Sequence, residues 1–256
     1  MQAWQDFGEG FWHFRGQHRI GGLVNVGTHC ALVALPDGGH LFLDSYTLPA
    51  DALAEARRLT DGGRSVRAIL NLHPFHTIHC RWMHQTFPEA RLFGTARHRE
   101  KLADLPWEDE GCEGDVLGQQ FGAVLDFSVP DGVHMVCRSE GVHFASVLAF
   151  HRASGTVFVD DTLNALALPF PLSALPLAGR VDFHPTLVGA LKAEAGAANR
   201  FAEWARNLGA DWHEARRVAA AHNSVAELAP GTFPEAIGAA LGRVRPVLAA
   251  HRARHG

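Results

Sequence analysis

Three histidines, His73, His76 and His79, follow directly on the apolar run Ala68–Leu72. A neutral imidazole ligates zinc or iron through either ring nitrogen. Its ordinary pKa of about 6.5 also lets it carry a proton near neutral pH. A buried strand ending in such residues is a common way to set a metal or an acid–base group at the carboxyl end of a sheet. Pro74 separates the first two histidines, and the segment behind them is predicted to run as a helix to Phe87-Pro88. On such a helix His76 and His79, three residues apart, share a face. The chain holds 17 histidines in all. His13, His18, His84, His98, His151 and His213 stand singly and read as structural or exposed. His29 and His134 lie at strand ends, where they can approach a pocket.

The elements that must carry these residues alternate in type. Residues 11–44 read as a meander: Phe11–Arg19, Leu23–Val26, Ala31–Leu35 and a return strand His40–Leu43 ending at Asp44-Ser45. Pro36-Asp37-Gly38-Gly39 is a hairpin turn, because Asp and Gly tolerate the backbone it needs. Leu53, Ala56 and Leu59 mark a helix that Asp61-Gly62-Gly63 stops. The strand Val66–Leu72, the histidine helix and a strand Arg91–Gly94 follow. Thr95 is placed to cap a helix through Leu102. Residues 105–122, rich in glycine and acids, read as a long loop able to line a pocket. A second β-rich run offers Val133–Val136, Phe144–His151 and Thr156–Val159, the last ending at Asp160-Asp161. Residues 166–176 read as irregular, 186–209 as one amphipathic helix, Arg217–Ala221 as a strand into His222, and Pro234 to His251 as a final helix. The order strands then helices occurs twice without sequence repetition, and no low-complexity linker divides it. One α/β domain spanning 1–256 is expected, with two mixed sheets and helices outside.

The 256 residues, 47% hydrophobic and 20% charged, suit a globular chain with a sizeable core. A net charge of −4 argues against nucleic acid as the main partner. No apolar run approaches the roughly 18 residues of a membrane span, and Met1-Gln2-Ala3-Trp4 lacks a signal-peptide start. Cys30, Cys80, Cys112 and Cys137 are widely spaced and read as reduced thiols, so a cytoplasmic location is expected. No G-x-S-x-G elbow, phosphate loop or G-x-G-x-x-G occurs, so serine hydrolases, nucleotide hydrolases and Rossmann enzymes lack their motifs.

From about residue 20 to 225 the order of features resembles the metallo-β-lactamase superfamily. Gly38–Ser45 looks like that family's strand ending in Asp-(Thr/Ser). Residues 69–76 stand where it has H-x-H-x-D-H. Glu140-Gly141-Val142-His143-Phe144-Ala145-Ser146 looks like its G-H segment with one residue inserted. Phe158–Leu163 looks like F-x-G-D-x-L, and Val218–Asn223 like the strand ending in a last histidine. The resemblance implies a four-layer αββα sandwich, one or two metal ions and, for most members, hydrolysis of lactams, thioesters, lactones or phosphodiesters. Aligned without gaps, the first motif reads Asn71-Leu72-His73-Pro74-Phe75-His76. Its first histidine is replaced by Asn71 and its aspartate by Phe75. His73, His76, His143, Asp161 and His222 match the remaining ligand positions, and His184 is an alternative last ligand. A register slipped by three instead makes His76 and His79 the last two histidines, with Ile78 at the aspartate position.

Asn is a poor zinc ligand, and Phe neither binds metal nor orients water. The resemblance therefore implies one ion rather than two, zinc first, with iron or manganese as alternatives. The expected function is hydrolysis of a small ester, thioester, lactone or phosphoester. His76 or His79 would move the proton, and Asn71, Phe75 and His184 would line the pocket. A small-molecule substrate is the expected partner, with no nucleic acid or membrane, and a homodimer is compatible with the C-terminal helices. The rival expectation is a non-catalytic binding or scaffold protein with a degenerate site. Iron-based redox chemistry, known in some members, is a third.

Overall fold

A computed structural model describes residues 3–17, 19–20, 24–25, 27–137, 139, 141–165, 180–221 and 225–256. The chain forms two compact units, Met1–Leu125 and Asp126–Gly256.

The first unit contains β1 (Gln5–Asp6), β2 (Phe11–Gly16), β3 (Arg19–Ile20), β4 (Val24–Asn25), β5 (Thr28–Ala34) and β6 (His40–Leu43). Then come α1 (Ala50–Leu59), a 3-10 turn (Asp61–Gly63), β7 (Val66–Asn71), α2 (Cys80–Thr86), β8 (Arg91–Gly94), α3 (Ala96–Lys101) and α4 (Val116–Phe121). Its main sheet runs β1-β2-β5-β6-β7-β8. The expected meander is its antiparallel half, β2 to β6. The hairpin turns at Gly38, whose φ of 80° needs no side chain in the way. From β6 to β8 the strands run parallel, with Leu43 opposite Leu70 and Asn71 opposite Gly94. Parallel strands end on the same side of a sheet, so Asp44-Ser45, Leu72-His73 and Thr95 emerge at one edge.

α1 turns Ala52 and Ala56 onto Phe42 and Ile69, and α2 adds Cys80 and Met83 to the same core. Thr95 caps α3 as expected, with His98 reaching back to close a capping box. Two expectations fail in this unit. Residues 105–122 are not all loop, because Val116, Leu117 and Phe121 are apolar enough to fold α4 onto the sheet, with Phe121 edge-on to Phe93. The helix behind the histidines begins only at Cys80, so His76 and His79 do not share a helix face.

The second sheet has the order β15-β14-β11-β10-β9. It is built from β9 (Leu125–Ser128), which starts at the boundary, β10 (Leu148–His151), β11 (Thr156–Val159), β14 (Arg217–Ala220) and β15 (Val225–Glu227). β12 (Leu163–Ala165) and β13 (Val181–Phe183) pair separately. The helices are α5 (Leu187–Ala190), α6 (Ala197–Asp211) and α7 (Phe233–His255). β11 pairs antiparallel with β10 and parallel with β14. Phe150, Val157 and Val218 pack with Phe201 and Ala205 of α6 and with Phe233 and Ile237 of α7. Val133–Val136 forms no strand; Val133 makes one bridge to Leu191. That bridge also breaks the helix expected over 186–209. Leu191 turns extended (ψ 132°) to make it, and Gly196, at φ 79°, restarts the helix as α6. Both halves are mixed sheets with helices on them, the α/β class expected. Residues 166–176, expected to be irregular, lie outside the described residues. Among the described residues no helix is long and apolar enough to cross a membrane.

Candidate metal centre

In the first unit the last turn of chain before α2 carries the histidines. His76 N–H bonds back to the His73 carbonyl at 3.0 Å and Thr77 N–H to that of Phe75 at 3.0 Å. This tight turn folds the two imidazoles together, ring centroids 4.3 Å apart. His73 is buried, and its Nδ1 accepts the Phe75 N–H at 3.3 Å. A neutral His73 therefore carries its proton on Nε2. Either ring nitrogen could ligate a metal, at the cost of this long, weak contact. Beside His76 lies Asp44, the first residue after β6. It is buried and held at φ 58°, a left-handed conformation that few side chains other than Asn and Asp adopt readily. The conformation lets Asp44 Oδ1 accept the Leu72 N–H at 2.7 Å and brings Oδ2 to 3.9 Å from His76 Nδ1. At 3.9 Å the two atoms stand at an ion-pair spacing, beyond hydrogen-bond distance.

The other predicted residues of this unit are placed differently. Asn71 is buried and its amide is engaged: Nδ2–H donates to the Phe93 carbonyl at 2.9 Å, and Oδ1 accepts the Ser45 hydroxyl at 2.6 Å. Phe75 is half-buried, with the Arg97 guanidinium stacked 4.3 Å from its ring centre. His79 sits at the N-cap of α2, its Nδ1 2.9 Å from Thr47 Oγ1 and its ring against Tyr46.

In the second unit β11 ends in two buried carboxylates, Asp160 and Asp161. His143 Nδ1 lies 3.9 Å from Asp161 Oδ2. Two ligand atoms on one tetrahedral ion, at bond lengths of about 2.0–2.1 Å, stand about 3.4 Å apart, so this pair is near such a spacing. Thr162 fixes the surroundings: its hydroxyl donates to the Phe144 carbonyl at 3.0 Å and accepts the Ser146 N–H at 3.0 Å. Thr186 lies 2.7 Å from His184 Nδ1 through its hydroxyl, which donates to the His143 carbonyl. His184 thus sits beside His143. His222 lies outside the described residues.

Other histidines of the first unit have surroundings the sequence does not show. His13 Nε2 and His29 Nδ1 lie 3.0 Å apart as a buried pair. His98, read as structural, is buried; its Nε2 lies 3.4 Å from the His76 carbonyl. Burial lowers its pKa to about 4, so the ring is neutral. Burial also pushes the Cys80 thiol up to about 12, so Cys80 remains a donor, 3.3 Å from Asn71 Oδ1. The spacing Thr95-x-x-His98 was a legible capping signal; the reach of its far nitrogen to His76 was not. The donor types, imidazole with carboxylate, suit zinc, iron or manganese, whereas Asn71 and Phe75 do not.

No protein-family model matches the sequence, and no curated protein matches it either. Solved structures do. One is a metallo-β-lactamase from Erythrobacter litoralis with β-mercaptoethanol in its active site (TM-score 0.61, 14% identity, 95% of this chain and 96% of that chain). A second is a metallo-β-lactamase from Hirschia baltica (TM-score 0.57, 13% identity, 98% and 95%). A third is the metallo-β-lactamase FIM-1 from Pseudomonas aeruginosa in a mono-zinc form (TM-score 0.57, 12% identity, 94% and 95%).

Proposed function

The chain has the metallo-β-lactamase fold, and on that premise we propose that it is a metal-dependent hydrolase of a small ester, thioester, lactone or phosphoester. His73, His76, His143 and Asp161 are the proposed ligands of a single ion, with His222 as a further ligand and His184 as its alternative. The reading treats the whole chain, 1–256, as one such domain. Zinc is the first choice, and iron or manganese fit the same donors. Such an ion lowers the pKa of a bound water to about 7 and polarises the scissile oxygen. The observation that carries the reading is the His73–His76 pair, 4.3 Å between rings at the end of a buried parallel strand. Asp44 places a carboxylate oxygen 3.9 Å from His76 Nδ1. Phe75 with Arg97 stacked on it makes an apolar wall where an aspartate would otherwise orient water. His79, hydrogen-bonded to Thr47, is a proton carrier within reach of solvent. The mono-zinc form recorded for one solved neighbour is a precedent for one ion in this fold. We further propose a cytoplasmic enzyme acting on a small molecule, with no nucleic acid or membrane partner, and a homodimer as its compatible assembly.

A second reading has one observation in its favour. Asn71, aligned to a ligand position, has its amide occupied by Phe93 and Ser45, which suits a binding or scaffold protein with a degenerate site. Elemental analysis separates the two. Untagged protein purified without chelator is expected to hold about one metal per chain, lost in His73→Ala and in His143→Ala. No metal after supply of zinc, iron or manganese would sink the hydrolase reading.

A further inference from the structure

Asn71 is the last residue of β7 and is fully buried. The Phe93 carbonyl can only accept, so the amide end facing it at 2.9 Å is the nitrogen. Oδ1 therefore faces Ser45 at 2.6 Å and Cys80 at 3.3 Å. One side chain joins the ends of β6, β7 and β8 and the first residue of α2. The Cys80 thiol is shared with the His76 carbonyl, 3.4 Å away. His98 approaches that same carbonyl through Nε2 at 3.4 Å. The Thr95 N–H donates to His98 Nδ1 at 3.2 Å, so the ring proton is on Nε2, facing His76. The peptide that follows His76 is thus held by donors from α2 and α3, and Asn71 anchors the thiol that supplies one of them. Imidazole direction follows backbone direction, and groups that orient metal ligands are worth as much as 10–100-fold in affinity.

We propose that Asn71 and His98 are positioning residues that hold the main chain of the His73–His76 turn, and that Asn71 is not a vestigial ligand. The proposal rests on His73 and His76 being metal ligands. It follows that Asn71→His does not build a second metal position. It removes the amide that bridges three strand ends.

The test is a series at position 98, run at pH 8. Alanine removes both the cap and the donor. Glutamate keeps the capping box but donates nothing. Glutamine supplies an acceptor and an N–H at the spacing of the two ring nitrogens. Zinc affinity is read by competition with a chromophoric chelator, and amide hydrogen exchange at His76 and Thr77 is read on the metal-free chain. His98→Ala and His98→Glu are expected to weaken zinc binding about 10–100-fold and to speed exchange, with His98→Gln restoring both. Asn71→His is expected to bind more weakly than the parent, with no second equivalent. A merely structural cap predicts that His98→Glu behaves as the parent, which overturns the proposal. So does a second zinc in Asn71→His. If His98→Glu fails to fold, the comparison of His98→Ala with His98→Gln decides. If the parent chain takes up no zinc, iron or manganese, the hydrolase reading falls, and exchange at His76 and Thr77 still judges the clamp: unchanged protection in His98→Ala overturns it.

Discussion

A histidine's surroundings decide whether it can ligate a metal, brace a turn or stand as a buried spectator. His151 is the spectator. It is buried in β10, its Nδ1 accepts the Ser154 N–H at 3.3 Å, and burial lowers its pKa to about 4. The unfolded chain, with an ordinary value of about 6.5, binds the proton more readily over the interval between the two values. Stability from His151 is therefore complete above about pH 6.5 and is lost as the pH falls towards 4. His151→Asn keeps an acceptor but does not titrate. It is expected to lose roughly 2–3 kcal/mol less stability than the parent between pH 7 and pH 4, measured by urea unfolding at each pH. An identical pH dependence in both proteins would refute this. His98 carried a capping signal in Thr95-x-x-His98, but neither its reach to His76 nor the burial of His151 was legible in the sequence. What separates them is that His98 also reaches the His76 carbonyl, 22 residues away, whereas the bond named for His151 is local, to Ser154.

At the scale of elements, the helix expected over 186–209 shows how tertiary contact overrides periodicity. Its apolar spacing is genuine, and α6 buries Phe201, Ala205 and Leu208. The interruption comes from Gly132, at φ 73°, which brings its loop against the first turn of α6. A Cβ built there stands 2.1 Å from the Ala197 carbonyl oxygen, a backbone atom that cannot step aside. The Gly132 carbonyl also accepts the Lys192 N–H at 3.0 Å, which holds the chain between α5 and α6. Gly132→Ala is expected to cost about 2–4 kcal/mol, through positive φ and the clash together, in urea unfolding of the whole chain. A loss under about 0.5 kcal/mol would show that the loop yields instead. In the first unit the histidine turn is short because α2 waits for Cys80, whose thiol must lie against Asn71 and the His76 carbonyl.

For the whole molecule, a metal that binds only the folded chain raises its stability by mass action. With free zinc at 100 times its dissociation constant the gain is expected to be about 2.7 kcal/mol, seen as a rise in Tm that chelator reverses. His73→Ala and His143→Ala each abolish the rise if both residues are ligands. An equal rise in either variant would remove that residue from the proposed set.

Much of the architecture was legible because it is encoded locally. The hairpin at Gly38, the buried strand Val66–Asn71, the strand Arg91–Gly94, the cap at Thr95 and the turn before Thr156 all follow from spacing and turn chemistry over a few residues. The order of those elements also carried the resemblance to the metallo-β-lactamase superfamily. The tertiary structure alone decided what each polar side chain touches. Whether Asn71 is a ligand or a clamp depends on the parallel register that sets Phe93 and Ser45 beside it. The approach of Asp44 to His76 depends on a backbone conformation after β6 that composition does not announce. Periodicity reports which face of an element is buried; hydrogen-bond partners are set by register between strands distant in sequence, and only the packed sheet selects that register.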